Sequence, residues 1–300
     1  MLGPLLFIIY TNDLPNSLKY TKCILFADDT TIYLSGENVH QLKIHIESDL
    51  VELDDWFRSN KLSLNVQKTH FMIFNHNKQR YIDIDSIKIG HENIQRVGHA
   101  KFLGIWVDDE LEWDKHIEHV SKKIASGTYA INSSKRILSI PNLKLLYFSL
   151  VHSHLSYGTL IWGSAYKYKL HRLEIKQKQC MRNICNAKYN TETLSLFKDL
   201  RILKFIDIRQ MQLGKLIYTC IHGMAPLPVC AIFTVNNDIH NYNTRRRLDP
   251  HIEARSSNRM SRTFVYNAPQ FWLDLPNEIK IANTLSCFNS RIKKYIIQSY

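Results

Sequence analysis

The sequence predicts an α+β fold, with short strands first and helices dominating afterwards, and three observations carry that reading. Lys22 to Leu34 holds two runs of β-branched and aromatic residues, Ile24-Leu25-Phe26 and Thr30 to Leu34, on either side of Asp28 and Asp29. Such runs suit a half-buried pleated surface, so the segment reads as a β-hairpin with acids at its tip. After Ser35-Gly36 the period changes, and Val39, Leu42, Ile46, Leu50, Leu53 and Phe57 recur at the spacing of one helix face. From Trp113 to about Ala187 helical spacing prevails.

Taken in order, Gly3-Pro4 opens a helix, because a missing amide costs nothing in the first turn, and Leu5, Leu6, Ile9 and Tyr10 form its apolar face. Asn12-Asp-Leu-Pro15 stops it. The hairpin follows, then the long helix, which is expected to pack on the back of the sheet with His40, His45 and Asp54-Asp55 on its wet face. Leu62-Ser-Leu-Asn65 reads as a strand; His70 to Asn75, Tyr81 to Asp85, Ile87 to Ile89 and Gln95 to Val97 read as a small antiparallel sheet. Lys101 to Val107 is a further strand broken at Gly104. Asp108-Asp109-Glu110 look like a second metal site, but acids ahead of a helical pattern suit N-terminal capping, to which they are assigned. Three helices follow: Ile117, Val120, Ile124, Ile131 and Leu138 mark the first, Pro141 starts the second through Val151, and Tyr168 to Ile184 is the third. Leu194 to Ile208 continues as helix until Gly223, Pro226 and Pro228 end that region. Asn236 to Arg262 is polar and irregular, and a last helix runs through Phe288, Ile292, Tyr295 and Ile296. His116/His119 and His152/His154 lack an evident third ligand.

Composition narrows the class. Three hundred residues at 45% hydrophobic content bury one or two cores, and 22% charged residues argue against wholesale disorder. Residues 1–170 hold 19 Lys/Arg against 18 Asp/Glu and residues 171–300 hold 20 against 9, so the net +12 sits almost wholly in the second part. That surplus suits contact with a phosphate backbone, and equally a basic solubilising face. Six cysteines form no Cys-x-x-Cys pair or zinc-knuckle spacing, which implies a reduced intracellular compartment. Met1 to Tyr10 has no basic leader and is too short to span a bilayer, so a soluble chain without membrane contact is expected. Internal repeats, a Gly-rich phosphate loop and a Ser-His-Asp set are absent from the sequence.

The chemistry centres on Asp28-Asp29. Two charges beside apolar strands are costly to bury uncompensated, and a hard divalent cation would neutralise both while leaving positions for phosphates, as in two-metal phosphoryl transfer. The same dipeptide alone also fits a solvated turn. Leu2-Gly-Pro-Leu-Leu-Phe7 with Tyr10-Thr-Asn-Asp-Leu-Pro15, then Phe26-Ala-Asp-Asp29, Leu62-Ser-Leu-Asn65 with Lys68-Thr69, and Phe102-Leu-Gly104 occur in that order. The series resembles the reverse transcriptase of non-LTR retrotransposons, especially jockey-type elements.

The resemblance implies roles for particular residues. Gly3 and Pro4 open the helix lying against the templating base and incoming nucleotide. Asp28 and Asp29 are the paired metal-binding carboxylates, with Asp28 the more direct ligand. Lys68 is a general acid or cation near the departing pyrophosphate, or else a snorkelling surface lysine. Phe102, Leu103 and Gly104 are the primer grip, and they also fit a core strand with one bulge. The family implies two Mg²⁺ (or Mn²⁺) ions, an RNA template, a DNA primer, dNTPs and a nuclear location; it does not fix an oligomeric state. Its fingers and first catalytic aspartate would lie upstream of Met1. The expectation is therefore a truncated polymerase palm at 1–110, an antiparallel sheet with packed helices, then a helical thumb at 111–188 and a basic, mainly helical post-thumb region at 189–300. Lys122, Lys123, Lys135, Arg136, Lys176, Lys178, Arg182, Arg245, Arg246 and Arg247 are candidate nucleic-acid contacts. Such a chain is expected to be inactive by itself. The alternative is a non-catalytic nucleic-acid-binding remnant of a degenerate mobile element.

Overall fold

Gly3 and Pro4 sit in the first turn of helix α1 (Leu2–Tyr10), as the proline rule requires. A 3-10 turn at Leu14–Ser17 with Pro15 in its first turn ends this start, and the Tyr10 hydroxyl donates to the Asn60 carbonyl. The computed structural model describes residues 2–75, 83–239, 249–252 and 257–300. The chain divides into two compact units, Met1–Glu110 and Leu111–Tyr300.

In the first unit, β1 (Lys22–Phe26) and β2 (Asp29–Tyr33) pair antiparallel, from Lys22 opposite Tyr33 to Phe26 opposite Asp29. Helix α2 (Val39–Ser59) starts at Asn38, whose side chain accepts from the His40 and Gln41 amides and so satisfies two otherwise orphaned donors. Its Leu50 and Leu53 enter a core with Leu14, Ile84, Ile87, Ile89 and Ile94, against which Cys23, Leu25 and Ile32 of the hairpin also pack. Full burial of each leucine contributes roughly 1.5–3 kcal/mol.

β3 (His70–Phe71), β4 (Ser86–Ile89) and β5 (Glu92–Arg96) form a sheet in the order β3-β5-β4, and β6 (His99–Phe102) and β7 (Ile105–Asp108) form another hairpin. The expected antiparallel sheet is in fact mixed: β4 and β5 are antiparallel, but β3 runs parallel to β5. Residues 72–91 between them are long enough for the return crossover that a parallel pair needs. Leu62 to Asn65 is not a strand, because the Asn65 side chain accepts from the Lys68 amide at 3.2 Å and folds the chain into a 3-10 turn at Val66–Lys68. Tyr81 and Ile82 of the expected second strand lie outside the described residues. His45 is not on a wet face: its ring stacks on Tyr20 at 4.1 Å.

The second unit is helical. It comprises α3 (Asp114–Ser134), α4 (Ile140–Tyr147), a π-helical turn at Phe148–His152 leading into α5 (Ser153–Ser156), α6 (Thr159–Trp162) and α7 (Lys167–Ile184). There follow α8 (Leu194–Leu200), α9 (Phe205–Ile221), α10 (Leu227–Cys230), α11 (Asn236–Ile239), α12 (Phe264–Asp274), α13 (Asn277–Lys280) and α14 (Leu285–Gln298). α3 packs along α7, and α9 is the hub against which α6, α7, α12 and α14 lie. Gln177 ties the layers together: its amide donates to Tyr147 Oη and the Leu203 carbonyl and accepts from the Phe205 amide.

Two further expectations are corrected here. The acids Asp108 to Glu110 do not cap α3; Asp108 closes β7, and the acid in the first turn of α3 is Asp114. Leu194 to Ile208 is not one helix, because Arg201 adopts φ +52°, ends α8, and the chain restarts at Phe205. Among the described residues no helix is long and apolar enough to cross a membrane.

Candidate active site on the first hairpin

The register of β1 and β2 leaves Ala27 and Asp28 as a two-residue turn. Ala27 has φ +51°, which the first position of a tight hairpin turn demands and a side chain resists. Asp28 is therefore in the turn and Asp29 opens β2, so their carboxylates stand at the tip of a two-stranded ribbon. Both are exposed, and neither carboxylate has a hydrogen bond or ion pair among the described residues. Two unneutralised oxygen donors on neighbouring residues suit a hard cation such as Mg²⁺ or Mn²⁺. The surrounding unit favours a cation too, since residues 1–110 carry 11 Lys/Arg against 15 Asp/Glu. Ala27→Gly is expected to relax the turn and raise the stability of the first unit by about 0.5 kcal/mol, the relief of strain less the extra freedom of glycine in the unfolded chain. Urea denaturation followed at the first unit's tryptophans checks this.

The base of the hairpin is fixed by a residue the sequence reading passed over. Asp49 on α2 is fully buried, and its carboxylate accepts from the amides of Lys19 (3.1 Å), Tyr20 (2.9 Å) and Thr21 (2.7 Å) and from Thr21 Oγ1 (2.7 Å). These residues lead directly into β1, and His45, one turn earlier on α2, stacks on Tyr20. Burial alone would raise the Asp49 pKa, but the bonds from Thr21, Tyr20 and Lys19 outweigh it and hold it below the usual carboxylate range. The signal was there to find: Asp49 is a lone acid on the stripe of Ile46, Leu50 and Leu53, where a charge survives only if fully bonded.

The other candidates fall on separate elements. Lys68 is exposed at the end of its 3-10 turn, and no ion pair joins it to Asp28 or Asp29 among the described residues. Gly3 and Pro4 lie on α1. Phe102 ends β6, and Leu103 and Gly104 form the turn of the β6–β7 hairpin at φ +45° and φ +84°, while buried Ile105 opposite Phe102 anchors it. Two positive φ values in a two-residue turn explain why glycine stands at position 104. Among the described residues no three His, Cys, Asp or Glu side chains gather as a metal-binding group, so Asp28 and Asp29 stand as a pair and the histidine pairs gain no third ligand. On the second unit, Lys122 pairs with Glu118 at 2.6 Å, Lys123 and Arg136 are exposed, Lys135 caps α3, and Lys176 and Lys178 are half-buried on α7. Arg182 Nε donates to the Thr191 carbonyl at 2.9 Å. Arg245, Arg246 and Arg247 lie outside the described residues.

Residues 1–107, which hold both the paired-carboxylate hairpin and the glycine turn, match the family reverse transcriptase (RNA-dependent DNA polymerase). Curated relatives extend the match beyond the first unit. The chain is 25% identical over 216 residues to a probable RNA-directed DNA polymerase from transposon X-element of Drosophila melanogaster, covering 69% of this chain and 23% of that protein. It is 23% identical over 218 residues to the RNA-directed DNA polymerase from mobile element jockey of the same species, again 69% and 23%. The corresponding protein from transposon BS is 25% identical over 212 residues, 67% of this chain and 23% of the relative. These matches relate the chain to the reverse transcriptases of jockey-type non-LTR retrotransposons; it spans about a quarter of the length of those proteins. No solved structure matches.

Proposed function

We propose that the chain is a segment of an RNA-directed DNA polymerase that works in the nucleus, its first unit supplying part of a two-metal nucleotidyl-transfer site. The observation that carries the reading is the solvent-facing Asp28-Asp29 pair, unneutralised among the described residues, on a braced hairpin within the family match. Asp28 and Asp29 would hold Mg²⁺ or Mn²⁺, which when bound activates the primer hydroxyl and neutralises the pyrophosphate leaving group. Exposed Lys68 offers a cation for that leaving group, and the Leu103-Gly104 turn offers close backbone approach to a primer end. Residues 111–188 act as a thumb and 189–300 as a post-thumb surface, whose partners are the RNA template and DNA primer. In support, residues 111–300 carry 28 Lys/Arg against 12 Asp/Glu, a net of +16.

Mn²⁺ titration followed by NMR tests the metal reading. Paramagnetic broadening is expected at the amides of residues 26–30 and is expected to vanish in Asp28→Asn/Asp29→Asn. Broadening centred elsewhere, or unchanged in the double variant, overturns it. With two carboxylates and no third among the described residues, the 300-residue polypeptide assayed alone is expected to give no primer extension. Robust metal-dependent synthesis by it would overturn that part of the proposal.

A further inference from the structure

We propose that Tyr166, Tyr168 and Arg262 form a stacking platform for the unpaired bases of a single-stranded nucleic acid, an inference that rests on reading the second unit as nucleic-acid-binding. Tyr166 is the residue before α7, in extended conformation at φ −60° and ψ 141°, and the helix begins at Lys167. That change of backbone brings two tyrosines of the same short segment together, with ring centroids 5.8 Å apart and planes 26° from parallel. The Arg262 guanidinium lies 3.6 Å from the Tyr166 ring centre, which completes a group of three flat, polarisable surfaces.

Tyr168 is 72% exposed, so its ring contributes little to the core. The arginine, by contrast, is held in place from behind. Arg209 Nη2 donates to the Arg262 carbonyl at 2.8 Å, and Arg262 Nε donates to the Asn258 carbonyl at 3.3 Å. Its two terminal amino groups have no partner among the described residues and remain able to donate to a phosphate. Nearby Lys169 is not available for that: its ammonium bonds Glu112 at 2.7 Å and Asp114 at 2.8 Å. The same contacts offset one of the two negative charges of Glu112 and Asp114 next to the platform and so reduce their repulsion of a polyanion.

A fixed arginine beside an open aromatic face offers one site for both components of a nucleotide. Every base has a π-face, so the platform is tolerant of sequence, whereas a duplex keeps its base faces stacked inside and cannot use it. None of these three residues belongs to the row of lysines and arginines identified from sequence. They are separated by almost 100 positions, and only the fold of α7 against the 3-10 turn at Met260–Arg262 joins them.

The test is fluorescence anisotropy of the full chain with labelled oligo(U) and with an abasic strand of the same length, over a range of salt. Tyr168→Ala is expected to weaken oligo(U) binding by about 5- to 150-fold and to leave both the abasic affinity and the salt slope unchanged, because stacking neutralises no phosphate. Tyr189→Ala, which removes a ring 90% exposed elsewhere on the unit, is expected to change nothing. An unchanged oligo(U) affinity in Tyr168→Ala overturns the platform while leaving nucleic-acid binding intact, and an equal loss on the abasic strand overturns it too. Failure of the unaltered chain to bind oligo(U) at low salt would instead overturn the reading of the basic unit, and the platform with it.

Discussion

Replacing Asp49 by alanine is expected to destabilise the first unit by about 3–5 kcal/mol. The carboxylate accepts four hydrogen bonds, three from consecutive amides and one from a hydroxyl, and alanine leaves the two buried donors of Thr21 and the part-buried amides of Lys19 and Tyr20 without this acceptor. Each buried donor so stranded costs roughly 1–3 kcal/mol. Asp49→Asn keeps one acceptor oxygen but turns an amino group toward donors, so its loss should be nearly as large. Thr21→Val removes the hydroxyl alone and is expected to cost about 1 kcal/mol. The order alanine, asparagine, then the Thr21 variant, measured by urea denaturation, is the discriminating result; an Asp49→Ala chain as stable as the unaltered one would sink the account. The pH dependence has a definite sign. A carboxylate whose folded pKa lies below its unfolded value contributes stability above the unfolded pKa, near 3.9, and loses it as pH falls through the folded value. Acid therefore loosens residues 19–21, and the strand that leads to the Asp28 turn starts one residue later.

The sequence could be read wherever one periodicity governed a whole element. The hairpin at Asp28-Asp29 and the helix through Leu50 and Leu53 came out with the correct partners because alternation and helical spacing are set by the elements themselves. Errors arose where a single side chain overrode the pattern. Asn65 bends Leu62 to Asn65 out of a strand, and Arg201 in a left-handed conformation cuts one expected helix into two. Long-range pairing was not legible either. Nothing in His70-Phe71 tells it to run parallel to β5, and nothing local in Asp108 to Glu110 marks them as a strand end when Asp114 stands ready in the first helical turn. The site divides the same way. The paired acids Asp28 and Asp29 are visible as adjacent letters, whereas Asp49 is thirty residues from the amide of Lys19 it holds, and Arg262 is far along the chain from Tyr166.

Lowering the pH from about 6.5 to 4 is expected to remove about 3 kcal/mol of stability from the second unit through His116 alone. His116 lies in the first turns of α3, 3% exposed, with its ring 5.2 Å from that of Trp162. Burial, and then the charge of neighbouring His119, push its pKa down from 6.5 to about 4. Between those values the unfolded chain takes up a proton that the folded chain refuses. The stability is therefore complete above pH 6.5 and is lost progressively as pH falls through the folded pKa. His152 and His154 are shifted in the same direction, chiefly by burial, and add to the loss. Asp207 works against it at the acid end, because burial raises its pKa and the folded state then binds its proton first. His116→Gln keeps a neutral polar side chain of similar size but cannot titrate. Its stability should fall less steeply across this range, so that the gap between variant and unaltered chain changes by about 3 kcal/mol from pH 7 to pH 4. Parallel curves in urea denaturation at stepped pH would show that His116 accepts its proton without cost in the fold. Burial against Trp162 would then not govern its charge.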